Sequence, residues 1–206
     1  MLDSKGFDLW ADGYDKAVGL SDEDNRYPFA RYKDVLGSIF ARVMEKGPCR
    51  VLDLGFGTGV LTARLYEAGC EVFGQDFSPN MISKAKAKMP GAKLFCGDFS
   101  KGLADEITAN RFDAIVATYS LHHIPDADKP LFIRGLYALL NCGGTLLIGD
   151  VAFRTRAELE KCRAEAGDEW DDEEYYFVFD ELEPLLPGLG FEKISHCAGI
   201  LSLRRD

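Results

Sequence analysis

The side chains best suited to chemistry follow the ends of short apolar runs. Asp76, Asp98 and Asp150 each come directly after such a run, and His122 and His123 follow another. Carboxylates accept hydrogen bonds from hydroxyl and amino groups, and an imidazole exchanges a proton near neutral pH. We therefore expect a polar site with His122 as its candidate general base. Because the two histidines are adjacent, their rings should point in different directions, with at least one of them structural.

A strand, a glycine-rich turn and a helix must position these residues. The apolar run 51–54 contains Asp53, and Gly55, Gly57 and Gly59 alternate after it. Residues 60–68 then carry a helical pattern. Such a unit presents backbone N–H groups and a helix N-terminus to a ligand, although a glycine-rich turn alone could simply be tight. A dinucleotide fingerprint would need Gly or Ala at the sixth position from Gly55, where Val60 stands.

Further strands alternate with helices along the middle of the chain. The pattern predicts strands over 71–75, 93–96, 112–118 and 145–149, and helices over 79–89 and 129–140. Ser78 should cap the helix that begins at Pro79. This alternation predicts an α/β fold with a parallel, doubly wound sheet, whose ligand lies at the carboxyl ends of the strands.

The two ends of the chain differ from this alternation. Phe7, Trp10 and Tyr14 form an aromatic stripe within a predicted helix over 6–18, and a second helix is predicted over 28–45. Later segments predict helices over 156–166 and 180–186, then a hairpin of strands 191–197 and 200–204. The acidic run 165–174 is more typical of a solvated face than of a cation site.

The glycine-rich stretch resembles motif I of the class I S-adenosylmethionine-dependent methyltransferases. Asp76 stands 21 residues after Gly55, and Asp98 ends the third strand, where that family places further ligand residues. Residues 112–116 with 120–124 are similar to the family's fourth-strand motif, and 139–146 to its turn into the fifth strand. The motifs follow the family order across 51–151. Segments 7–15, 150–154 and 174–176 look like a small bacterial family of methyltransferases.

The resemblance implies roles for individual residues. Asp76 would accept hydrogen bonds from the ribose hydroxyls and Asp98 from the adenine amino group, beside the backbone N–H of Phe99. Asp76 and Asp98 taken alone could be helix caps or turn residues. Asp53 would orient the turn or a water molecule. The cofactor-binding residues implied in this way are Tyr14, Asp53, Gly55, Phe56, Gly57, Gly59, Asp76, Phe77, Met81, Asp98, Phe99, Thr118 and Tyr119.

The substrate side is expected in the N-terminal helices and after the fifth strand. Phe153, Arg154, Tyr175 and Tyr176 supply a mostly aromatic wall of the kind that suits a small organic molecule. Tyr14 could orient the methionine end of the cofactor, and is the second candidate catalytic residue beside His122. No metal ion is expected. The aromatic stripe suggests that the N-terminal helices close as a lid.

The implied fold is a single Rossmann-like methyltransferase domain. Its seven-stranded, doubly wound sheet should be mostly parallel, with an antiparallel C-terminal hairpin. We expect an N-terminal helical lid over 1–47, a cofactor-binding core over 48–151, a substrate-side insertion over 152–190 and the terminal hairpin over 191–206. Monomer and homodimer are both open.

The amino-acid composition indicates which classes of binding partner are unsuited to this chain. The 206 residues carry 24 basic and 34 acidic side chains, for a formal net charge of −10. A nucleic-acid binder normally shows a basic face, so we expect neither a nucleic acid nor an anionic membrane as partner. The start of the chain lacks a signal-peptide pattern and no apolar run could span a bilayer, which favours the cytoplasm. The six scattered cysteines are expected to be reduced thiols.

The sequence therefore predicts a methyltransferase that uses S-adenosylmethionine, releases S-adenosylhomocysteine and acts on a small-molecule acceptor. A second possibility is a protein that binds S-adenosylmethionine without transferring its methyl group, in a regulatory or complex-forming role. A third is a nicotinamide-dependent oxidoreductase, disfavoured by Val60 and by Asp98 in the adenine position. Labelled methyl transfer to a mixture of acceptors would separate the first two.

Overall fold

A computed structural model of the protein describes residues 25–206. The expected sheet is present, with strands β1 (Arg50–Leu54), β2 (Glu71–Asp76), β3 (Lys93–Cys96), β4 (Phe112–Thr118), β5 (Leu140–Phe153), β6 (Phe177–Val178), β7 (Gly190–Lys193) and β8 (Ala198–Arg204). The strand order is β3-β2-β1-β4-β5-β8-β7, and β6 pairs with β5 off this path. The pairs β3-β2, β2-β1, β1-β4, β4-β5 and β5-β6 are parallel, and β8 is antiparallel to both β5 and β7.

Helices connect the strands and cover the sheet. They are α1 (Tyr32–Met44), α2 (Val60–Glu67), α3 (Pro79–Lys88), α4 (Asp105–Thr108), α5 (Lys129–Ala138), α6 (Arg156–Ala166) and α7 (Phe179–Leu182). Single turns of 3₁₀ helix lie at Phe99–Lys101, Leu121–His123, Gly167–Glu169 and Glu183–Leu185. The predicted helix over 6–18, with Tyr14 and the lid, lies outside the described residues.

Two apolar layers sandwich the sheet because side chains alternate along each strand. In β4, Ala114 and Val116 belong to one buried cluster, whereas Ile115 and Ala117 belong to the other. Strands covered on both faces read as continuous apolar runs, which is why the central strands were predictable. The packing places the carboxyl ends of β1, β2, β4 and β5 together at one edge.

Helix α1 fits against the sheet because β5 carries a glycine beneath it. Val35, Leu36, Ile39 and Val43 are its buried residues, at the spacing of one helical face. A Cβ at Gly149 would lie 2.5 Å from Val35 Cγ1 and 2.7 Å from Ile39 Cδ1. The absence of a side chain at this glycine therefore sets how closely α1 approaches the fifth strand.

Local signals fixed some boundaries well. Ser78 caps α3 as predicted, because its Oγ accepts a hydrogen bond from the Met81 N–H at 3.1 Å and Pro79 begins the helix. Strand β5 is much longer than the predicted 145–149. Its ends are extended by partners distant in sequence: Gly143 N–H donates to the Arg205 carbonyl at 2.7 Å, and Ala152 pairs with Phe177 in β6.

Two elements were absent from the sequence prediction. Strand β6 and helix α4 are too short to produce a periodic pattern. Across 25–206, no helix has both the length and the apolar character needed to cross a bilayer. All six cysteines, each within this part of the chain, are free thiols.

Candidate active site

The glycine-rich turn joins β1 to α2 in a conformation that favours glycine. Gly55, Gly57 and Gly59 have φ angles of 69°, 55° and 78°. A Cβ at Gly55 would come 2.4 Å from Ser120 Cβ, so the β1 and β4 loops touch here. A Cβ at Gly57 would meet nothing within 4 Å. The backbone around Gly57 is therefore open to a ligand, whereas Gly55 is needed for packing.

Asp76 fastens this turn to the end of β2. One carboxylate oxygen, Oδ2, accepts the Gly57 N–H at 2.8 Å, and Oδ1 accepts the Ser78 N–H at 2.9 Å. The side chain is buried. Since a carboxylate has about four lone-pair directions, two N–H donors leave acceptor capacity on each oxygen. The same carboxylate can thus orient the turn and accept hydroxyl groups.

Asp53 lies deeper, beneath the turn. Its Oδ2 accepts a hydrogen bond from Thr62 Oγ1 at 2.6 Å, while Oδ1 is buried and has no partner among the described residues. Burial raises the pKa of Asp53 to about 7; the Thr62 hydrogen bond opposes this and the charge of Asp76 adds to it. Burial thus disfavours the charged form of Asp53. A cationic ligand group or a water molecule near Oδ1 would stabilise that charge.

A cavity opens beside the turn at the carboxyl edge of the sheet. Seven of the cofactor residues implied by the sequence line it: Gly55, Gly57, Asp76, Phe77, Met81, Phe99 and Tyr119. Ser120 and His123, which are outside the implied set of cofactor residues, complete the lining. Ser120 also donates from Oγ to the Leu54 carbonyl at 2.8 Å, which ties the β4 loop to β1.

Five implied cofactor residues do not line this cavity, namely Asp53, Phe56, Gly59, Asp98 and Thr118, and Tyr14 lies outside the described residues. Asp98 caps the turn Phe99–Lys101: its Oδ1 accepts the Ser100 N–H at 3.0 Å and Ser100 Oγ at 2.6 Å, and its Oδ2 pairs with Lys101 at 3.0 Å. Gly59 is the N-cap of α2 and Thr118 ends β4. Phe56 packs over Gly74, where a Cβ would lie 2.6 Å from its ring.

Tyr119 marks the point where β4 turns away from the sheet. Its φ of 50° is uncommon for a residue with a side chain, and its N–H donates to the Gly149 carbonyl at 2.8 Å. Its ring lies 5.2 Å from both Phe29 and Tyr32, measured between ring centroids. Phe29, just before α1, and Tyr32, its first residue, therefore pack against a residue that lines the cavity.

His122 is held between two carboxylates. Its Nδ1 lies 2.6 Å from Asp150 Oδ1, and its Nε2 lies 3.4 Å from Glu174 Oε1. Asp150 is itself fixed, because it accepts the N–H groups of Leu121 at 3.2 Å and Val151 at 2.8 Å. Burial lowers the pKa of His122, but Asp150 and then Glu174 outweigh it, and the net direction is upward.

The two histidine rings do not point apart, as adjacency in sequence led us to expect. Their centroids are 4.2 Å apart and the rings meet edge to face at 69°. Both belong to the 3₁₀ turn Leu121–His123. Burial and the neighbouring His122 lower the pKa of His123 to about 4. His123 is thus a neutral imidazole that reaches the cavity, whereas His122 lies behind it.

Glu174 connects the histidines to an aromatic cluster. Burial and then the nearby charge of Glu174 raise the pKa of Tyr176, whose hydroxyl hydrogen-bonds to that of Tyr27. Trp170 stacks on Tyr27 at a centroid distance of 5.0 Å and meets Tyr176 edge to face at 4.8 Å. Burial raises the pKa of Glu174 despite the opposing effect of His122. Sequence analysis missed Glu174, Tyr27 and Trp170, because the acidic run looked solvated and the contacts span distant segments.

The residues predicted for the substrate side do not form one wall. Tyr176 joins the cluster beside His122, at a ring distance of 6.2 Å. Phe153 is fully buried behind Trp170. The Arg154 guanidinium lies 5.3 Å from the rings of both Phe179 and Phe191, and Tyr175 is partly exposed.

Lys129 anchors the segment that carries Glu174. This lysine is only 1% exposed, and its Nζ donates to the Tyr175 carbonyl and to Asp126 at 2.7 Å. The ammonium also lies 4.4 Å from the Phe177 ring centroid. Tyr175 N–H donates to the His122 carbonyl at 2.7 Å. The acidic segment is therefore attached to the histidine turn at both backbone and side chain.

The cavity fits the ligand implied by the glycine-rich motif. Open backbone at Gly57 can approach the amino-acid end, and the carboxylate of Asp76 can accept the ribose hydroxyls. Phe77, Met81 and Phe99 offer an apolar surface to a purine. The buried Asp53 Oδ1 provides unmatched negative character beneath the turn. These features suit a cationic adenosyl compound.

Comparison with known proteins agrees with this geometry. A methyltransferase-domain family model matches residues 51–144. An uncharacterised methyltransferase of Geobacillus sp. (strain WCH70) is 36% identical over 193 residues, covering 90% of this chain and 87% of that protein.

Two solved structures share the fold. The magnesium protoporphyrin IX methyltransferase ChlM of Synechocystis PCC 6803, with bound S-adenosylhomocysteine, has a TM-score of 0.67 and 20% identity, covering 85% of this chain and 84% of that one. The DhpI complex with S-adenosylmethionine and HEP has a TM-score of 0.68 and 19% identity, covering 97% and 94%. The glycine turn, the strand order and these relatives lead to one conclusion: the chain belongs to the class I S-adenosylmethionine-dependent methyltransferases.

Proposed function

We propose that this methyltransferase acts on a small organic acceptor bound between the cofactor cavity and the cluster of His122, Glu174 and Tyr176. The observation that carries the proposal is the placement of His123. This residue lines the cavity and its ring touches His122, so the cavity and the cluster adjoin. An acceptor reaching the cavity from this side would meet polar groups of the cluster first.

The surroundings of the cluster support an acceptor of modest size. Tyr27, Trp170 and Tyr176 form an aromatic wall, and aromatic walls with a few polar groups are typical of small-molecule sites. The net charge of −10 disfavours a polyanionic acceptor. The Synechocystis relative in fold is named for a small-molecule acceptor, magnesium protoporphyrin IX.

The chain's own contribution to the reaction is positioning. S-adenosylmethionine supplies a methyl group already activated on a sulfonium. The protein must hold the acceptor atom in line and exclude water, and orientation of this kind lowers barriers by roughly 7–11 kcal/mol in favourable cases. Asp150 accepts hydrogen bonds from two backbone N–H groups, and this fixed carboxylate keeps His122 in place for this purpose.

A labelled-methyl screen tests the proposal. The full chain is incubated with S-adenosylmethionine carrying a labelled methyl group and with a metabolite extract, separated into small molecules and macromolecules. We expect label in the small-molecule fraction, lost when the Asp76→Asn variant replaces the wild type. Label confined to protein or nucleic acid would refute a small-molecule acceptor.

A further inference from the structure

The cluster behind the cavity has the composition of a metal site. His122, His123 and Glu174 each offer one ligand atom, and these atoms all lie within 4.8 Å of one another. Two imidazoles and one carboxylate form a donor set that catalytic zinc sites use, with the fourth position left open. The three residues come from two loops that only the fold brings together, so the sequence predicted no metal.

One distance in the cluster fits metal ligands better than an ion pair. His122 Nε2 and Glu174 Oε1 are 3.4 Å apart. A charge-assisted hydrogen bond is shorter, at roughly 2.7–2.9 Å. Two ligands at tetrahedral angles about Zn²⁺, each ~2.0–2.2 Å from the ion, stand about 3.3 Å apart. The ligand atoms all lie within 4.8 Å of one another, so some of them must move closer to coordinate one ion. His123 and Glu174 are only partly buried, and their side chains have room for this movement.

The supporting hydrogen bonds form the second independent observation. Metal-bound histidines usually donate their other ring N–H to a carboxylate, and ligand carboxylates are themselves hydrogen-bonded. Here His122 Nδ1 contacts Asp150 Oδ1 at 2.6 Å, which leaves Nε2 directed at Glu174. The candidate ligand His122 therefore has the outer carboxylate partner that metal-bound histidines usually have.

We propose that His122, His123 and Glu174 bind a divalent transition-metal ion of the zinc class, with Asp150 orienting His122. Because His123 lines the cofactor cavity, the open fourth position faces the acceptor side. In this arrangement the acceptor's oxygen, nitrogen or sulfur atom would be the fourth ligand. That last step rests on the proposed function; binding of the ion does not. The proposal assigns Nε2 of His122 to the ion instead of to a proton.

Cobalt titration of the chelator-treated full chain tests the site. Co²⁺ serves as the probe because its visible absorption reports tetrahedral coordination and shows whether thiolates take part. We expect one equivalent bound without a thiolate charge-transfer band. His123→Ala and Glu174→Gln should each weaken binding more than about 100-fold, and Asp150→Asn about 10–100-fold. His196→Ala, at an exposed histidine, is the matched control and should bind like the wild type.

The outcomes separate this proposal from the proposed function. Thermal unfolding of each variant in the absence of metal checks that the fold is intact. The metal site would be overturned if cobalt did not bind stoichiometrically or if a thiolate charge-transfer band appeared. Wild-type cobalt affinity in Glu174→Gln and His123→Ala would also overturn it, even if a small acceptor is methylated. Conversely, cobalt binding with label confined to macromolecules would overturn the proposed acceptor class and leave the metal site standing.

Discussion

Asp76 performs two tasks with one carboxylate, and this makes it the most informative residue for cofactor binding. It holds the Gly57 and Ser78 N–H groups while keeping acceptor capacity on both oxygens. Asp76→Asn replaces one acceptor oxygen with an amide that donates, opposite an existing N–H donor. We expect the affinity for S-adenosylhomocysteine to fall at least tenfold, about 1.4 kcal/mol, measured by isothermal titration calorimetry.

The control for this prediction is the same substitution at an exposed aspartate. Asp105 is exposed in the first turn of α4, so Asp105→Asn should bind S-adenosylhomocysteine like the wild type. Thermal unfolding of both variants would show whether the fold is retained. Unchanged affinity in a folded Asp76→Asn variant would remove this carboxylate from the cofactor site.

Asp53 should make the stability of the protein depend on pH. Its pKa is raised to about 7, whereas an unfolded aspartate titrates near about 3.9. Between these values the folded state keeps a proton that the unfolded state has lost, so the free energy of unfolding falls as pH rises from about 4 to about 7. Each pKa unit corresponds to about 1.4 kcal/mol.

Asp53→Asn removes this titration and retains an acceptor for Thr62. Relative to this variant, the wild type should lose on the order of 2–3 kcal/mol of unfolding free energy between pH 5 and pH 7, and little more above pH 8. Urea unfolding at several pH values measures the difference. Parallel stability curves for the two proteins would mean that Asp53 titrates near its ordinary value.

At the scale of elements, Lys129 connects the start of α5 to the segment that carries Glu174. Lys129→Met leaves the Tyr175 carbonyl without this buried donor, which costs about 1–3 kcal/mol. We expect faster hydrogen exchange across 170–178, with unchanged exchange in β1 and β4. Lys161→Met is the matched control, because Lys161 is exposed and its pairing with Glu165 is long, at 3.8 Å. If residues 170–178 exchanged at the same rate in Lys129→Met as in Lys161→Met, Lys129 would not anchor this segment.

The elements divide clearly into those that sequence reveals and those that it does not. Strands β3 and β4 and helix α6 matched their predicted limits, because apolar runs, periodicity and caps are local signals. The true length of β5 depends on pairing with β8 and β6, whose residues lie far away in sequence, as in the pairs of Val151 with Ala198 and of Ala152 with Phe177. The local sequence pattern contains no information about such partners. The predicted strand 145–149 therefore began after Gly144 and ended at Gly149.

The site divides in the same way. The lining residues at strand ends, such as Asp76 and Phe99, could be predicted because a parallel sheet gathers its carboxyl ends at one edge. Glu174 and His123 could not. Glu174 reaches His122 through an irregular segment without periodicity, and the single 3₁₀ turn that carries both histidines leaves no signature in residue type.

At the scale of the whole molecule, the cofactor should stabilise the entire fold, because the loops that line its cavity come from β1, β2, β3 and β4 together. A ligand that bridges these loops in the folded state has no counterpart in the unfolded chain. At a concentration one hundred times the dissociation constant, the expected gain is about 2.7 kcal/mol. For a domain of this size that corresponds to a rise in melting temperature of roughly 5–11 °C.

A thermal-shift panel of S-adenosylmethionine, S-adenosylhomocysteine and NAD measures this effect. The two adenosyl compounds should raise the melting temperature, and NAD should leave it unchanged because Val60 occupies the position where a dinucleotide site needs a glycine or alanine. The Asp76→Asn variant should show a smaller shift at the same ligand concentration. If NAD stabilised the protein as strongly as S-adenosylhomocysteine, the cavity would recognise only an adenosine moiety. The specificity for the methionine end, which the open backbone at Gly57 is expected to supply, would then be disproved.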